Sequence, residues 1–295
     1  MIPITDYLTH YLLLLLGFVS KKLSVKNRFQ FGKLIGNCLR LLSKSRSDIT
    51  FNNIKAAFPE KTTEWHKLIR NESYHNLGIT LAELLAFPSF SERDFRNYIK
   101  IENTELVHRN LAKGNGMILL SGHFGNWEIM AYVAGLVLGV PITIIVKPQK
   151  NKLSNVYLNK FRTQGGNHIV NMRKAARTLI ETIKKNEAVA MLVDQSANSK
   201  KDIFVDFFGR PASTYEAPAI IALKFRTPIV TGFAHRQPDF TYKVVLEELN
   251  FDDLDDSKES VLELTRRHVK VLENNIRMNP GHWAWQHKRW KHIPL

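Results

Sequence analysis

One short segment of the chain combines polar side chains with glycines directly after an apolar run. Residues 117–120 predict a buried strand, and the segment SGHFGNWE follows at residues 121–128. In α/β sheets, ligands bind at the carboxyl ends of strands, where glycines let the backbone turn sharply and let a substrate approach. We therefore expect a functional site built around His123 and Glu128.

Helical geometry sets a condition on how these two side chains can meet. They are five residues apart, which on a continuous helix would place them about 140° apart around the axis. They can converge if His123 lies on a loop and the helix begins near Asn126, which is then a suitable N-cap residue. Glu128 would in that case lie in the first turn, where the helix dipole favours its negative charge.

A histidine beside a carboxylate suits the abstraction of a proton from a hydroxyl group. A neutral imidazole, with an ordinary pKa of about 6.5, accepts a proton at physiological pH. The carboxylate would hold the imidazole in one tautomer and stabilise the imidazolium that forms. Ser121 lacks the Gly-x-Ser-x-Gly setting of a nucleophile elbow, so the segment favours direct attack by a substrate hydroxyl. A loop histidine that only makes a structural hydrogen bond is the alternative.

Hydrophobic periodicity predicts helices first and then alternating strands and helices after residue 116. Apolar residues recur at helical spacing in residues 31–39 and 77–85. We predict strands at residues 117–120, 141–146, 188–193, 228–234 and 242–246. We predict helices at residues 127–138, 152–163, 174–185, 215–226 and 257–277. This alternation predicts an α/β fold with a mixed, largely parallel sheet flanked by helices.

The amino-terminal residues predict association with a membrane. Residues 11–19 form an unbroken apolar run, shorter than the roughly 20 helical residues that a hydrocarbon core requires. Basic residues follow this run rather than precede it, so it does not resemble a secretory signal, and the main body would stay cytoplasmic. We predict a membrane anchor at residues 1–24, lying in the interface or forming one short span, and a single α/β domain at residues 25–295. A core helix that opens the domain is the alternative.

The overall charge predicts anionic partners. The 295 residues include 42 Lys and Arg against 27 Asp and Glu, a formal net charge of +15, which suits an anionic membrane surface or an acidic protein. No reading module such as a helix-turn-helix is recognisable, so we do not predict nucleic acid as a partner. The single cysteine and the scattered histidines predict neither a disulfide nor a metal site. The tryptophan-rich residues 283–290 are expected to pack against the core, with a place in the membrane interface as the alternative.

The segment at residues 121–128 resembles the signature of the bacterial late lipid A acyltransferases, which include the lauroyl and myristoyl transferases. They belong to the lysophospholipid acyltransferase superfamily, whose hallmark is His-x-x-x-x-Asp/Glu. The resemblance extends in order along nearly the whole chain and is therefore more specific than any single motif. Its further parts are NIKAAFPE at residues 53–60, Glu83, Asp194-Gln195, FFGRPAST at residues 207–214 and WAWQHKRW at residues 283–290.

This resemblance implies transfer of a fatty acyl chain from an acyl thioester, usually on acyl carrier protein, to a hydroxyl of a lipid A precursor. It implies no cofactor and a location at the cytoplasmic face of the bacterial inner membrane, where a glycolipid acceptor lies. Two alternatives remain within the superfamily. One is an enzyme that acylates a lysophospholipid or another glycolipid, or that uses acyl-CoA, and the other is a catalytically silent lipid-binding relative.

The resemblance also implies roles for individual residues. His123 would be the general base with Glu128 as its partner. The fixed cation of Arg162 would stabilise the tetrahedral oxyanion, or hold a phosphate or the thioester carbonyl. A further candidate for substrate binding is Asp194, whose alternative role is only to cap or orient. Asn126 and Arg210 are the weaker candidates for substrate binding, with turn chemistry and surface charge as their respective alternatives.

Overall fold

A computed structural model describes residues 3–163, 166–172, 175–197 and 203–292. Within these ranges the chain forms a mixed α/β structure whose sheets are flanked by helices, as predicted. The helices are α1 (Ile4–Lys22), α2 (Val25–Leu42), α3 (Lys44–Ala57), α4 (Thr63–Ala86), α5 (Glu92–Tyr98), α6 (Glu105–Leu111), α7 (Trp127–Leu138), α8 (Lys152–Arg162), α9 (Ala175–Lys184), α10 (Ala217–Phe225) and α11 (Lys258–Met278). The strands are β1 (Ile99–Glu102), β2 (Met117–Ser121), β3 (Ile142–Val146), β4 (His168–Asn171), β5 (Ala188–Leu192), β6 (Ile203–Phe207), β7 (Arg210–Thr214), β8 (Ile229–Thr231), β9 (His235–Arg236), β10 (Tyr242–Val245) and β11 (Glu247–Leu249).

The central sheet carries the predicted strand of the site near its middle. Its six strands lie in the order β11, β8, β2, β5, β3, β4, and only the edge pair of β11 with β8 is antiparallel. Met117, Ile118 and Leu120 of β2 are almost completely buried, as expected for a parallel strand covered on both faces by helices. The largely parallel sheet is therefore confirmed for the described residues.

The strand pattern differs from the prediction in several places, and β1, β4, β6, β7, β9 and β11 were not predicted. The predicted strand at residues 242–246 is β10, but it pairs with β1 and β9 in a separate three-stranded sheet. The hairpin of β6 and β7 was not predicted, because one of its two turn residues is a phenylalanine, which is not typical of a turn. Phe208 (φ 57°) and Gly209 (φ 71°) both adopt the left-handed conformation there, which a bulky residue such as phenylalanine rarely does.

Glycines let α2 and α4 pack with their backbones in contact. A side chain at Gly36 of α2 would collide with the carbonyl of Tyr74, and one at Gly78 of α4 would collide with the carbonyl of Gly32. This close approach fixes α4 against the rest of the helical layer. The carboxyl-terminal half of α4 brings Glu83, which is almost fully buried, to the turn between β2 and α7.

Helix α1 forms most of the predicted anchor, and it packs on the domain through one face only. Gly17 and Ser20 are buried, whereas the opposite face is apolar and exposed. The side chains on that face include Ile4, Leu8, Tyr11, Leu12, Leu15 and Phe18, which are 54–76% exposed. Among the described residues, every helix is too short or too polar to cross a lipid bilayer.

Candidate active site

The register of two neighbouring strands brings His123 and Asp194 together. β2 and β5 are parallel with Ser121 opposite Leu192, so the residues that follow the two strands emerge side by side at the same edge. Nδ1 of His123 lies 2.7 Å from Oδ1 of Asp194, and the backbone N–H of His123 donates to Oδ2 at 2.8 Å. Because an ionised carboxylate can only accept, Nδ1 carries the proton and Nε2 is left with a lone pair.

This geometry corrects the predicted partner of the histidine. The carboxylate on Nδ1 of His123 belongs to Asp194, which we had expected to bind substrate, and not to Glu128. Glu128 does lie in the first turn of α7, as predicted, but it accepts two hydrogen bonds from Arg162 of α8, at 2.6 and 3.0 Å. The planar guanidinium offers two parallel donors, a match for a carboxylate that a single imidazole N–H does not provide.

The Glu128–Arg162 ion pair is shielded and close to the histidine. Its side chains are only 12% and 13% exposed, and Arg162 also donates to Oδ1 of Asn159 at 3.1 Å. Both charges act on His123: Glu128 raises the pKa of the imidazole and Arg162 lowers it. The structure thus brings together four of the predicted site residues, namely His123, Glu128, Arg162 and Asp194.

The surroundings of His123 raise its pKa. Burial by itself lowers the pKa of the imidazole, but the Asp194 carboxylate and its hydrogen bond outweigh burial and raise the pKa above the ordinary value. In return, although burial opposes the charge of Asp194, His123 holds the pKa of that carboxyl at about 2. The His123 side chain is 24% exposed, and the amide nitrogen of Gln195 lies 3.3 Å from Nε2. Nε2 is therefore the nitrogen available to a substrate.

Asn126 shapes the turn between β2 and α7. Its Oδ1 accepts from the N–H of Ile129 at 2.8 Å, which confirms it as the N-cap of α7. Its Nδ2 donates to Glu83 at 2.6 Å, and the residue is fully buried. Asn126 therefore stabilises the turn that carries the site. The Asn126 side chain is enclosed by protein partners, so the structure corrects the substrate contact that we predicted for it.

A buried network supports this turn from the side of α4. The Glu83 carboxylate accepts from the hydroxyls of Tyr98 at 2.7 Å and Tyr242 at 2.6 Å, in addition to Asn126. Three donors satisfy a charge that would otherwise be costly to bury. Sequence reasoning noted Glu83 only through the resemblance. The physical signal was an acidic residue inside the apolar helical run at residues 77–85.

Glycine at position 125 is required by the same turn. Gly125 adopts φ +56°, and a Cβ there would collide with the carbonyl of Ala234.

The hydroxyl of Ser121, which lies at the end of β2, donates to the carbonyl of Gly232 at 2.7 Å. The Ser121 hydroxyl is thus engaged by the backbone rather than by the histidine.

The last predicted site residue, Arg210, lies at the β6–β7 hairpin and is exposed. Its guanidinium stands 5.4 Å from the ring of Trp290, and no hydrogen bond observed among the described residues connects it to His123. The substrate-binding role of Arg210 stays a prediction.

Within the described residues, no group of three or more His, Cys, Asp or Glu side chains is placed to hold a metal ion.

The tryptophan-rich carboxyl end packs inside the molecule. Trp283 and Trp285 are 1% and 0% exposed, so the core-packing interpretation is confirmed for them and the interfacial alternative is wrong. Trp283 also donates its indole N–H to Oδ2 of Asp194 at 2.8 Å. Sequence reasoning missed this contact, because residues 194 and 283 are brought together only by the fold.

We expect Glu128→Gln to lower the free energy of unfolding by about 3 kcal/mol, because it leaves the shielded Arg162 without a compensating charge. Chemical denaturation measures this effect. Glu181→Gln is the matched control, since it breaks an ion pair with Arg177 that is largely exposed and should leave stability unchanged. Equal stability of the two variants would contradict the description of Glu128–Arg162 as a shielded pair.

Comparison with known proteins finds similarity along nearly the whole chain. The model of a family described as bacterial lipid A biosynthesis acyltransferase matches residues 2–292. The chain is 22% identical over 267 residues to the lipid A biosynthesis palmitoleoyltransferase of Escherichia coli (strain K12), covering 90% of this chain and 85% of that protein. It is 23% identical over 278 residues to a lipid A biosynthesis acyltransferase of Haemophilus influenzae, covering 93% of this chain and 84% of the relative.

Proposed function

The chain belongs to the bacterial lipid A biosynthesis acyltransferase family, and we propose that it moves a fatty acyl chain from acyl carrier protein to a hydroxyl of a lipid A precursor. Family membership supports acyl transfer in lipid A biosynthesis. The contact between His123 and Asp194 at the carboxyl end of β2 is the observation that carries the proposed mechanism. It keeps the proton of the neutral imidazole on Nδ1 and leaves the lone pair on Nε2, in a side chain that is 24% exposed.

In the proposed reaction, His123 acts as general base. Nε2 takes the proton of the acceptor hydroxyl while the hydroxyl oxygen attacks the carbonyl carbon of the thioester. The Asp194 carboxylate stabilises the imidazolium that forms. When the tetrahedral intermediate collapses, the C–S bond breaks, and the leaving thiolate receives the proton from His123. The engagement of the Ser121 hydroxyl with Gly232 supports direct attack without an acyl-enzyme.

Arg162 is the proposed source of positive charge for the oxyanion. Its three hydrogen bonds, to Glu128 and Asn159, use one N–H of each guanidinium nitrogen. Each terminal nitrogen has a second N–H. In this proposal Glu128 orients the guanidinium, and a remaining N–H donates to the oxygen on which negative charge develops. The catalytic role of Glu128 is thus to position Arg162 rather than to contact His123.

The net charge of +15 supports an acidic carrier protein as donor and a phosphorylated acceptor at an anionic membrane. The name of the Escherichia coli relative specifies a palmitoleoyl chain, whereas the sequence resemblance was to the lauroyl and myristoyl transferase type and left the chain length open. The assay below therefore compares donors of all three chain lengths. It also compares acyl-CoA and a lysophospholipid acceptor, the alternatives left open by the sequence.

The decisive experiment measures acyl transfer in detergent micelles. Acyl carrier protein with a labelled acyl chain is the donor, and a tetra-acylated lipid A precursor is the acceptor. Labelled penta-acylated product with wild type, and none without enzyme, is the expected result. Transfer only from acyl-CoA, or only to a lysophospholipid, would replace the proposed substrates. No transfer with any pair would favour a silent lipid-binding relative.

We further propose that residues 1–24 anchor the protein at the cytoplasmic face of the inner membrane and that α1 lies in the interface. The exposed apolar face of α1 supports this arrangement, because a helix with one apolar face buries it among the acyl chains. Lys21 and Lys22 at its carboxyl end are placed for anionic headgroups. Residues 25–295 then form the single catalytic domain of the proposal.

Replacing Leu8 and Leu15 together by glutamate should lower binding to vesicles containing anionic lipid by at least about tenfold, because each leucine contributes roughly 1.5 kcal/mol or more when fully buried. Co-sedimentation with vesicles measures the binding. Thr5→Glu with Thr9→Glu is the matched control, since it adds the same charge on α1 and keeps the leucines. If both double variants bind alike, the leucines do not enter the membrane.

A further inference from the structure

The carboxyl-terminal segment, residues 282–289, lies against the loop that carries the proposed base. The backbone N–H of Gly125 donates to the carbonyl of His282, and that of Ala284 donates to the carbonyl of His123, both at 2.9 Å. Between these bonds, Phe124 and Trp283 form an antiparallel bridge. The backbone position of Trp283 is therefore tied directly to the backbone of His123.

The Trp283 side chain reaches from this bridge to Asp194. Its Nε1–H donates to Oδ2 at 2.8 Å, the same oxygen that accepts the backbone N–H of His123. The other oxygen, Oδ1, accepts from the His123 ring. Three N–H groups thus hold the buried carboxylate, and the indole is the donor that comes from neither the histidine nor its strand.

We propose that Trp283 is a positioning residue of the acyltransferase, whose indole N–H fixes the Asp194 carboxylate against the imidazole of His123. The inference rests on the proposed role of His123 as general base. It adds the carboxyl-terminal segment to the candidate active site, since this segment supplies the indole N–H that orients Asp194, the partner of the proposed base.

The neighbouring Trp285 shows that packing alone does not explain the contact. The two indole rings are 4.6 Å apart and nearly perpendicular, and both are fully buried in the same aromatic cluster. The indole N–H of Trp285, however, donates to the carbonyl of Pro280 at 2.7 Å. The chain therefore contains a matched control: each tryptophan has one indole hydrogen bond, but only that of Trp283 ends on Asp194.

The charges around His123 set the direction of the expected effect. Besides Asp194, the ionisable groups that act on the imidazole are Glu128, Arg162 and His287. None of these is changed when the indole N–H is removed. Burial lowers the pKa of His123 and Asp194 raises it, so the pKa falls if the carboxylate moves away from the imidazole. The indole N–H also lowers the pKa of Asp194, so its loss without such movement would leave the pKa of His123 unchanged or raise it.

The test titrates His123 by NMR in protein with isotope-labelled histidine, its resonance being assigned by loss in His123→Gln. In Trp283→Phe the pKa of His123 should fall by about 0.5 to 1, as expected for loss of one hydrogen bond to the charged partner. In Trp285→Phe it should stay at the wild-type value. Incorporation of 3-benzothienylalanine at position 283 keeps the ring shape, lacks only the N–H, and should reproduce the fall if Trp283→Phe does not fold.

A double variant and an activity measurement complete the test. In an Asp194→Asn background, Trp283→Phe should cause no further change in the pKa, because the indole acts through the carboxylate. A wild-type or raised pKa in both the phenylalanine and the benzothienyl variants would overturn the proposal, because the indole would then not hold the carboxylate in place. Since the titration needs no substrate, it reports on Trp283 even if the protein acylates a different lipid. The acid limb of the rate profile should follow the same shift if His123 is the base.

Discussion

Replacement of His123 by glutamine is expected to lower the rate of acyl transfer by at least about 10²-fold, because His123 is the proposed acceptor of the proton from the acceptor hydroxyl. Glutamine retains polarity at the 24% exposed position but cannot accept a proton at neutral pH. The measurement is turnover of labelled acyl carrier protein with the lipid A precursor.

The control for this variant is His168→Gln, which changes an exposed histidine on the edge strand β4 and should leave turnover unchanged. Vesicle binding should be equal for both variants and wild type, so that loss of activity is separated from loss of membrane contact. Near-normal turnover of His123→Gln would remove general-base catalysis from the mechanism.

The pH dependence of the wild-type enzyme follows from the same residue. The base must be neutral, and the Asp194 carboxylate raises the pKa of His123 above its ordinary value. Activity is therefore present at high pH and is lost as the pH falls through this raised pKa. The acid limb of kcat/KM should lie above the value of about 6.5 that is usual for histidine.

Replacement of Asp194 by asparagine should lower turnover by about 10²- to 10⁴-fold, the range that general acid–base catalysis contributes, because the catalytic histidine loses the carboxylate that sets its tautomer. An amide N–H at this position can donate to Nδ1. The proton of the imidazole would then reside on Nε2, and the nitrogen that faces the substrate could no longer act as a base. The charge that stabilises the imidazolium is lost as well.

The assay of Asp194→Asn also distinguishes the two carboxylates near the histidine. Asp252→Asn, an exposed aspartate outside the site, serves as the control and should turn over normally. Asp194→Asn should also lower the pKa of His123, whereas Glu128→Gln should leave the tautomer intact because Nδ1 still donates to Asp194. If Glu128→Gln instead abolished the pH dependence while Asp194→Asn kept it, the pairing inferred from spacing alone would be restored.

Local sequence signals determined the strand, the turn and the helix that form the backbone of the site. The apolar run of β2, the glycines that follow it and the N-cap at Asn126 act over a few residues, and the helix predicted at residues 127–138 coincides with α7. The order of motifs along the chain also indicated the family, which the match over residues 2–292 establishes. These features could be predicted because backbone preference and hydrophobic periodicity depend on near neighbours.

Only the tertiary structure decided which carboxylate faces the base. His123 and Glu128 are close in sequence, yet Glu128 binds Arg162, 34 residues away, and His123 binds Asp194, 71 residues away. The register of β2 with β5 and the return of the carboxyl-terminal segment brought in Asp194 and Trp283. Such contacts depend on how whole strands and helices pack. Residue spacing within one motif therefore pointed to His123 as the proposed base, but the fold selects the charges that lie around it.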